Sequence, residues 1–189
     1  GLVETGVGLI PGAGGNKELL LRLTANVQDD VAVDLDAFTR KAFEAIAGAK
    51  VSTSAPDAQR LGYLKESDGV VMSPDLQIFQ CKNRVKLLAE TMPPRNPKTL
   101  CRVSGASLLA NLKSELYNKR RGGFISEYDE QIGGKVAHVL CGGTVKANSQ
   151  VSEQYLLDLE REGFVSLCGE AKTQERIQYM LKNRKPLRN

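Results

Sequence analysis

The sequence has 189 residues, 41% hydrophobic and 25% charged, with a formal net charge of +4 at pH 7. These values are typical of a globular protein with a core of its own, and so small a charge argues against a nucleic-acid surface. No apolar run is long enough to span a bilayer. The four cysteines are isolated from one another, which predicts reduced thiols in a cytoplasmic protein; they are Cys81, Cys101, Cys141 and Cys168. The sequence has one histidine, His138, so no metal site is predicted.

The first predicted elements are an extended stretch and a glycine-rich loop. Residues 1–15 contain six glycines and one proline, a composition typical of a short extended segment that enters a tight turn. A helix is predicted to follow over residues 16–23. Because residue 1 is a glycine that leads directly into an apolar run, whereas N-termini are usually polar, we expect the chain to be a piece of a longer protein.

The next part is predicted to alternate helices with loops. Residues 28–34 are polar and acidic and are expected to form a loop. Apolar residues then return at helical spacing up to Gly48, and a shorter helix is predicted over residues 57–61. The apolar residues 70–72 are expected to form a short strand.

From residue 73 onward the pattern is helical. Ser73-Pro74-Asp75 places a cap, a proline and an acid where a helix begins, which predicts a helix up to about Thr91 and a proline-rich linker at 93–97. Four more helices are predicted, two of them capped by Ser126 and Ser152. Their inward-facing residues are expected to be Leu108, Leu109, Leu112 and Leu116; Tyr128, Ile132, Val136 and Val139; Tyr155, Leu156, Leu159 and Leu167; and Ile177, Met180 and Leu181.

A glycine-rich turn, Gly12-Ala13-Gly14-Gly15, precedes the first helix. Glycines allow the backbone to approach a ligand closely, and a helix N-terminus offers free N–H groups with a partial positive charge, so phosphate binding is one possible use. However, no Lys-Ser/Thr pair follows and the GxGxxG pattern is not matched. Composition alone therefore favours a tight turn without a ligand.

Glu4 is an acid within an otherwise apolar stretch, eight positions before Gly12. Burial raises the pKa of a carboxyl group and suits it to proton transfer. The alternative is a glutamate on an edge strand that faces solvent, and the residue pattern by itself favours this alternative.

The segment from Glu4 to Gly15 resembles the crotonase (enoyl-CoA hydratase/isomerase) family, whose motif runs E-x-x-x-G-x-x-P-G-x-G-G. Residues 58–64, AQRLGYL, are similar to a second segment of that family, A-x-x-x-G-L-V. From about residue 92 the chain departs from the short hydratases. It there resembles the C-terminal end of bifunctional 3-hydroxyacyl-CoA dehydrogenase/enoyl-CoA hydratases, most clearly at 152–162 and 185–189.

The resemblance implies an α/β crotonase-like fold for the parent domain. This chain is then expected to be mostly α-helical, with short residual strands near residues 1–8 and 70–72. Residues 1–72 would form the C-terminal part of the crotonase-like core, and residues 73–189 a helical C-terminal region.

The resemblance further implies hydration of trans-2-enoyl-CoA in the parent protein. Glu4 would be one of two catalytic acids, and the backbone amide of Gly12 would help to place the water. The second glutamate, the oxyanion-binding N–H groups and the NAD-binding dehydrogenase part would all lie before Gly1. The chain alone is therefore expected to bind no cofactor and to be inactive.

The expected partners are an acyl-CoA substrate, the rest of the parent chain and further copies in a homo-oligomer, without nucleic acid or a membrane span. Two alternatives remain at this point: an isomerase of the same family, and a helical docking or oligomerisation module without activity. Lys17 and Arg22 could contact a CoA phosphate, but a solvated helix face is the favoured interpretation, and His138 is expected to be structural.

Overall fold

The computed structural model describes residues 1–27, 33–93 and 100–189, and this part is mostly helical. Two short strands, β1 and β2, pair antiparallel, with Cys101 opposite Val151. The described elements are a 3-10 helix (Glu4–Val7), α1 (Gly15–Leu23), α2 (Asp36–Ala47), α3 (Ala55–Leu61), a 3-10 helix (Pro74–Leu76), α4 (Gln77–Thr91), β1 (Cys101–Arg102), α5 (Gly105–Arg121), α6 (Glu127–Leu140), β2 (Gln150–Val151), α7 (Glu153–Cys168) and α8 (Ala171–Asn183).

Helix α6 lies at the centre of the fold and packs against α1, α2, α5 and α7. Its four predicted inward residues are each at most 2% exposed, and the predicted leucines of α5 are buried as well. In α7, Leu156 and Leu167 are buried, while Tyr155 and Leu159 pack against the core from its edge. One hydrophobic cluster includes residues from both 1–72 and 73–189; the division at residue 72 remains a prediction.

The predicted serine caps at Ser126 and Ser152 are present, whereas the predicted cap at Ser73 is wrong, because its side chain makes no capping hydrogen bond and a 3-10 turn precedes α4. The Ser126 hydroxyl accepts the Asp129 N–H at 3.1 Å and the Asp129 carboxylate accepts the Ser126 N–H, so both groups stabilise the start of α6. Ser152 accepts the Tyr155 N–H at the start of α7. Ser54 begins α3 in the same way, two residues earlier than predicted.

The predicted strands near residues 1–8 and 70–72 are wrong. Glu4–Val7 is a 3-10 helix that ends at Gly8, and residues 70–72 form no regular element, with Met72 92% exposed. The physical reason is the lack of a neighbour: in the part of the chain that the structure describes, β1 pairs with β2 and no other strand lies beside either segment. A strand without a partner leaves its backbone groups unpaired.

Helix α4 has the predicted end at Thr91 but no buried side chain. Its predicted apolar face does not reach the core: Phe79 is 63% exposed and Val85 64% exposed. The predicted loop at 28–34 and the linker at 93–97 lie largely outside the described residues.

Helix α8 faces the core differently from the prediction. Leu181, predicted to be inward, is 78% exposed, and Ile177 and Met180 are half-buried. The residues that α8 buries are Thr173 and Arg176, both fully. The apolar spacing failed here because the core-facing side of α8 is polar and finds hydrogen-bond partners.

None of the helices in the described residues is long and apolar enough to cross a membrane. The cysteines are free thiols, as their isolated spacing predicts; Cys101 and Cys141 are buried, and Cys81 and Cys168 are exposed. Across the same three described ranges, no group of His, Cys, Asp and Glu side chains is arranged to hold a metal ion.

Candidate functional site

The segment that carries Glu4 is a single 3-10 turn fixed at both ends. Gly8 ends the turn with φ of +86°, a left-handed conformation that glycine adopts without strain, and its N–H bonds the Thr5 carbonyl. The buried Thr5 hydroxyl donates to the Ile46 carbonyl at 3.1 Å, which joins the turn to the end of α2. On the other side, the Thr173 hydroxyl donates to the Gly8 carbonyl at 2.6 Å.

The Glu4 side chain is half-buried, and its Oε2 atom is shielded from solvent without a hydrogen-bond partner among the described residues. The nearby Tyr63 is partly buried, which raises the pKa of its phenol; the Glu4 charge raises it further, and a hydrogen bond involving the Leu2 backbone opposes both. The Tyr63 hydroxyl itself donates to the Lys50 carbonyl at 2.7 Å. A shielded carboxylate oxygen with no partner among the described residues can accept a hydrogen bond from a further molecule.

The glycine-rich loop ends in an anion site that the chain itself fills. Gly14 has φ of +91° and turns the backbone so that successive N–H groups at the start of α1 converge. The carboxylate of Glu160, 1% exposed, accepts the N–H groups of Gly14 at 2.5 Å, Asn16 at 2.9 Å and Lys17 at 3.4 Å. The Asn16 side-chain amide donates to the same carboxylate at 3.0 Å. The structure therefore favours the turn without an external ligand over phosphate binding.

Gly12 lies on the exposed side of this loop. A Cβ atom at this position would stand 2.6 Å from Cδ2 of Phe164 on α7, so close packing gives a reason for the glycine that is independent of catalysis. Among the described residues, no hydrogen bond joins Glu4 to Gly12. The part that the Gly12 amide plays in placing water remains a prediction.

Lys17 is not on a solvated face, contrary to the favoured interpretation. Its side chain is 8% exposed, and its ammonium group pairs with Glu18 at 2.5 Å and Glu153 at 2.9 Å. Burial lowers the pKa of Lys17, but the hydrogen bonds and charges of the two glutamates outweigh burial and raise it. Arg22 is exposed, as predicted, and donates to the Tyr63 carbonyl.

Sequence reasoning missed Glu160 and Arg176, which are the two most buried charged residues in the described part of the chain. A signal existed for Glu160, because it falls on the buried stripe of α7 between Leu156, Gly163 and Leu167, at the i, i+4, i+7 and i+11 positions. A charged side chain within such a stripe needs a partner. The sequence does not indicate that the partner is the loop at Gly14, some 146 residues away.

Burial shifts the pKa values of two other reactive side chains, His138 and Cys141. His138 is half-buried, and burial lowers its pKa. The charge of Lys113 lowers this pKa further, and the charge of Glu162 opposes the shift, so the histidine is neutral at pH 7. Burial raises the pKa of the Cys141 thiol to about 12, which keeps it protonated. A thiol that stays protonated is a poor nucleophile, so the surroundings of Cys141 suit a structural role.

A cleft of about 750 Å³ lies between α2, α5 and the start of α6. Thr5 lines it, as do Arg40 and Glu115, which form an ion pair. Glu4 and Gly12 do not line this cleft. It is therefore not built around the predicted site residues.

Comparison with known proteins gives a relative that matches along the whole chain. No family model matches the chain, and no solved structure matches it. A protein of Bacillus subtilis (strain 168) described as a probable 3-hydroxyacyl-CoA dehydrogenase is 43% identical over 191 aligned residues, which cover 100% of this chain and 23% of that protein. The chain is therefore similar over its whole length to about a quarter of a protein with that description.

Proposed function

We propose that this chain is the C-terminal part of a fatty-acid β-oxidation enzyme that hydrates trans-2-enoyl-CoA to 3-hydroxyacyl-CoA. The longer protein would also oxidise the 3-hydroxyacyl-CoA with NAD. The similarity to a probable 3-hydroxyacyl-CoA dehydrogenase supports this pairing, since the hydration product is the substrate class in that protein's description. The observation that carries the hydratase part is the shielded, unpartnered carboxylate oxygen of Glu4 at the start of the glycine-rich motif.

In this mechanism water adds to the β carbon while the thioester carbonyl becomes an enolate. Glu4 acts as general acid and donates the proton to the α carbon. A second glutamate, in the region before Gly1, activates the water, and the Gly12 N–H helps to place it. The enolate oxygen is stabilised by N–H donors that also belong to that upstream region.

We further propose that the longer protein is a cytoplasmic homo-oligomer. Several large apolar side chains of α4 are exposed together, namely Ile78, Phe79, Val85 and Leu87, and they support an oligomer because a contiguous apolar surface is often covered by a partner. By itself the 189-residue chain is proposed to be inactive, since the enolate-binding donors lie outside it.

The substitution Glu4→Gln in the longer protein tests the role of Glu4. Hydratase kcat should fall by at least about 100-fold, because the amide cannot transfer a proton. The NAD-linked dehydrogenase activity of the same preparation should be unchanged, which shows that the variant is folded. Glu66→Gln, at an exposed glutamate, provides the matched control and should leave both activities at wild-type level. A kcat of E4Q near wild type would show that Glu4 is not the acid.

Isomerisation of an enoyl-CoA is the second candidate. Glu4 is the only carboxylate within residues 1–15, and moving a double bond needs one acid/base where hydration is expected to use two. The two candidates give different products from the same substrate class, so product analysis separates them.

A further inference from the structure

We propose that Glu160 is a positioning residue for the catalytic segment: its buried carboxylate holds the glycine-rich loop in the conformation that presents Gly12. This inference rests on the proposed hydratase function and adds a residue from the helical C-terminal region to its site. Helix α7 then contributes a functional residue to that site in addition to its packing role.

The contacts of Glu160 are those of an internal ligand. Its Oε1 accepts the Gly14 N–H, and its Oε2 accepts the Asn16 N–H, the Asn16 side-chain amide and, at longer range, the Lys17 N–H. These backbone donors at the start of α1 have no carbonyl partner within their own helix. A carboxylate satisfies them, and the positive end of the helix dipole favours its charge.

The same face of α7 covers the rest of the loop. Leu157 stands 3.5 Å from where a Cβ of Gly14 would lie, and Phe164 packs against Gly12. Residues 157, 160 and 164 are spaced by three and four, so they lie on one side of the helix. The loop is therefore held between Phe164 at its exposed end and Glu160 at its buried end.

The carboxylate does more than fill space. Asn16 is fully buried, and its amide bridges the Pro11 carbonyl at 3.1 Å and Glu160 at 3.0 Å. This bridge links both ends of the loop to one charged group, so the position of Gly12 between Pro11 and Gly14 depends on it. If the amide of Gly12 places the attacking water, a shift of the loop moves that water out of line with the β carbon.

The experiment compares Glu160→Gln with two controls in the longer protein. The substitution replaces one carboxylate oxygen by an NH₂ group, which cannot accept a hydrogen bond from the backbone N–H groups that face it. The loop should therefore become less ordered, although the side-chain volume is unchanged. We expect hydratase kcat to fall by about 100-fold, as for other misplacements near 1 Å, and KM to change by less than about 3-fold. Glu162→Gln, the same change at an exposed position of α7, should behave as wild type.

Leu156→Ala separates positioning from stability. Leu156 is fully buried on the same stripe of α7 as Glu160, so its truncation lowers the melting temperature without removing the carboxylate. Below its melting temperature, L156A should keep wild-type kcat, and Glu160→Asp should recover part of the activity lost in E160Q.

The outcomes distinguish the two proposals. If the wild-type longer protein hydrates enoyl-CoA and E160Q does so at the same kcat, the role of Glu160 is wrong and the proposed function stands. Equal losses of kcat in L156A and E160Q also overturn it, because stability alone then explains the loss.

If the wild type does not hydrate enoyl-CoA, the proposed function fails. The role of Glu160 is then judged by amide exchange at Gly14 and Asn16 in the present chain, which E160Q should accelerate at least about 10-fold and E162Q should not.

Discussion

The guanidinium of Arg176 is fully buried. Its charged and polar partners explain why the core-facing side of α8 can be polar. The guanidinium donates to Asp129 at 2.8 Å and to the Asn189 side chain at 2.7 Å, and lies 5.1 Å from the Tyr128 ring centroid. Arg188 pairs with the same Asp129 carboxylate at 2.9 Å. Because buried charges are tolerated only when paired, this cluster fixes α8 against the start of α6.

The substitution Asp129→Asn should therefore destabilise the protein by about 3 kcal/mol at pH 7, since it leaves Arg176 buried without its counter-charge. Asp158→Asn provides the control: Asp158 pairs with Arg161 on the surface, with side chains 48% and 70% exposed, and its loss should cost less than about 1 kcal/mol. Urea unfolding measures both variants. Equal effects of the two substitutions would contradict the assigned role of Asp129.

The pH dependence of this effect has a defined sign. Burial raises the pKa of Asp129, but the hydrogen bonds from Arg176 and the Ser126 backbone, with the charges of Arg176 and Arg188, outweigh it and lower the pKa. The stabilisation is present above the unfolded-state pKa of about 4 and is lost as the pH falls through the lower folded-state value. The difference between wild type and D129N should therefore shrink in acid.

At the scale of the element, the α5–α6 contact depends on a single glycine. A Cβ at Gly133 would meet Cδ2 of Leu116 at 2.8 Å, whereas a Cβ at the neighbouring Gly134 would have no heavy atom within 4 Å. Both glycines lie inside α6. The two helices therefore approach closely on one side of Gly133-Gly134 only.

Alanine substitutions at these neighbours should have opposite effects. Gly134→Ala should stabilise the protein by up to about 1 kcal/mol, because alanine has the higher helix propensity and meets no obstacle. Gly133→Ala should destabilise it by about 1–3 kcal/mol through overpacking against Leu116. Thermal unfolding measures both, and stabilisation by G133A would show that the α5–α6 contact is looser than described.

The sequence predicts best the features that depend on the spacing of residues within one helix and on its first turn. The leucine stripe of α5, the four inward residues of α6 and the caps at Ser126 and Ser152 agree with the structure, because spacing and capping are local properties. The strands near 1–8 and 70–72 failed because a strand requires a partner, and the pattern of one segment does not show whether one is present.

At the scale of the whole molecule, contacts between distant parts of the chain make the candidate site. The motif from Glu4 to Gly15 is visible in the sequence because its acid, glycines and proline are close together. The residues that contact the motif are not visible in the sequence. Glu160 on α7 bonds Gly14 across 146 residues of sequence, and Thr173 on α8 bonds Gly8 across 165. Only the folded chain brings these residues together, so their roles could not be read from spacing.

Helices α6, α7 and α8 pack directly on elements of the first 50 residues. Helix α6 packs on α1 and α2, and α8 packs on the 3-10 turn that carries Glu4. Helix α4 has no buried side chain and lies outside this arrangement. The C-terminal region thus supports the proposed catalytic segment through direct contacts.

The central claim, that Glu4 serves enoyl-CoA hydration, is tested most directly by identifying the product. The longer protein of the proposed function is incubated with a trans-2-enoyl-CoA, and the thioester product is analysed by mass spectrometry. We expect a product heavier by one water, which NAD then oxidises, and no such product with E4Q. A product of unchanged mass with a shifted double bond, or hydration that E4Q sustains at the wild-type rate, would contradict the claim.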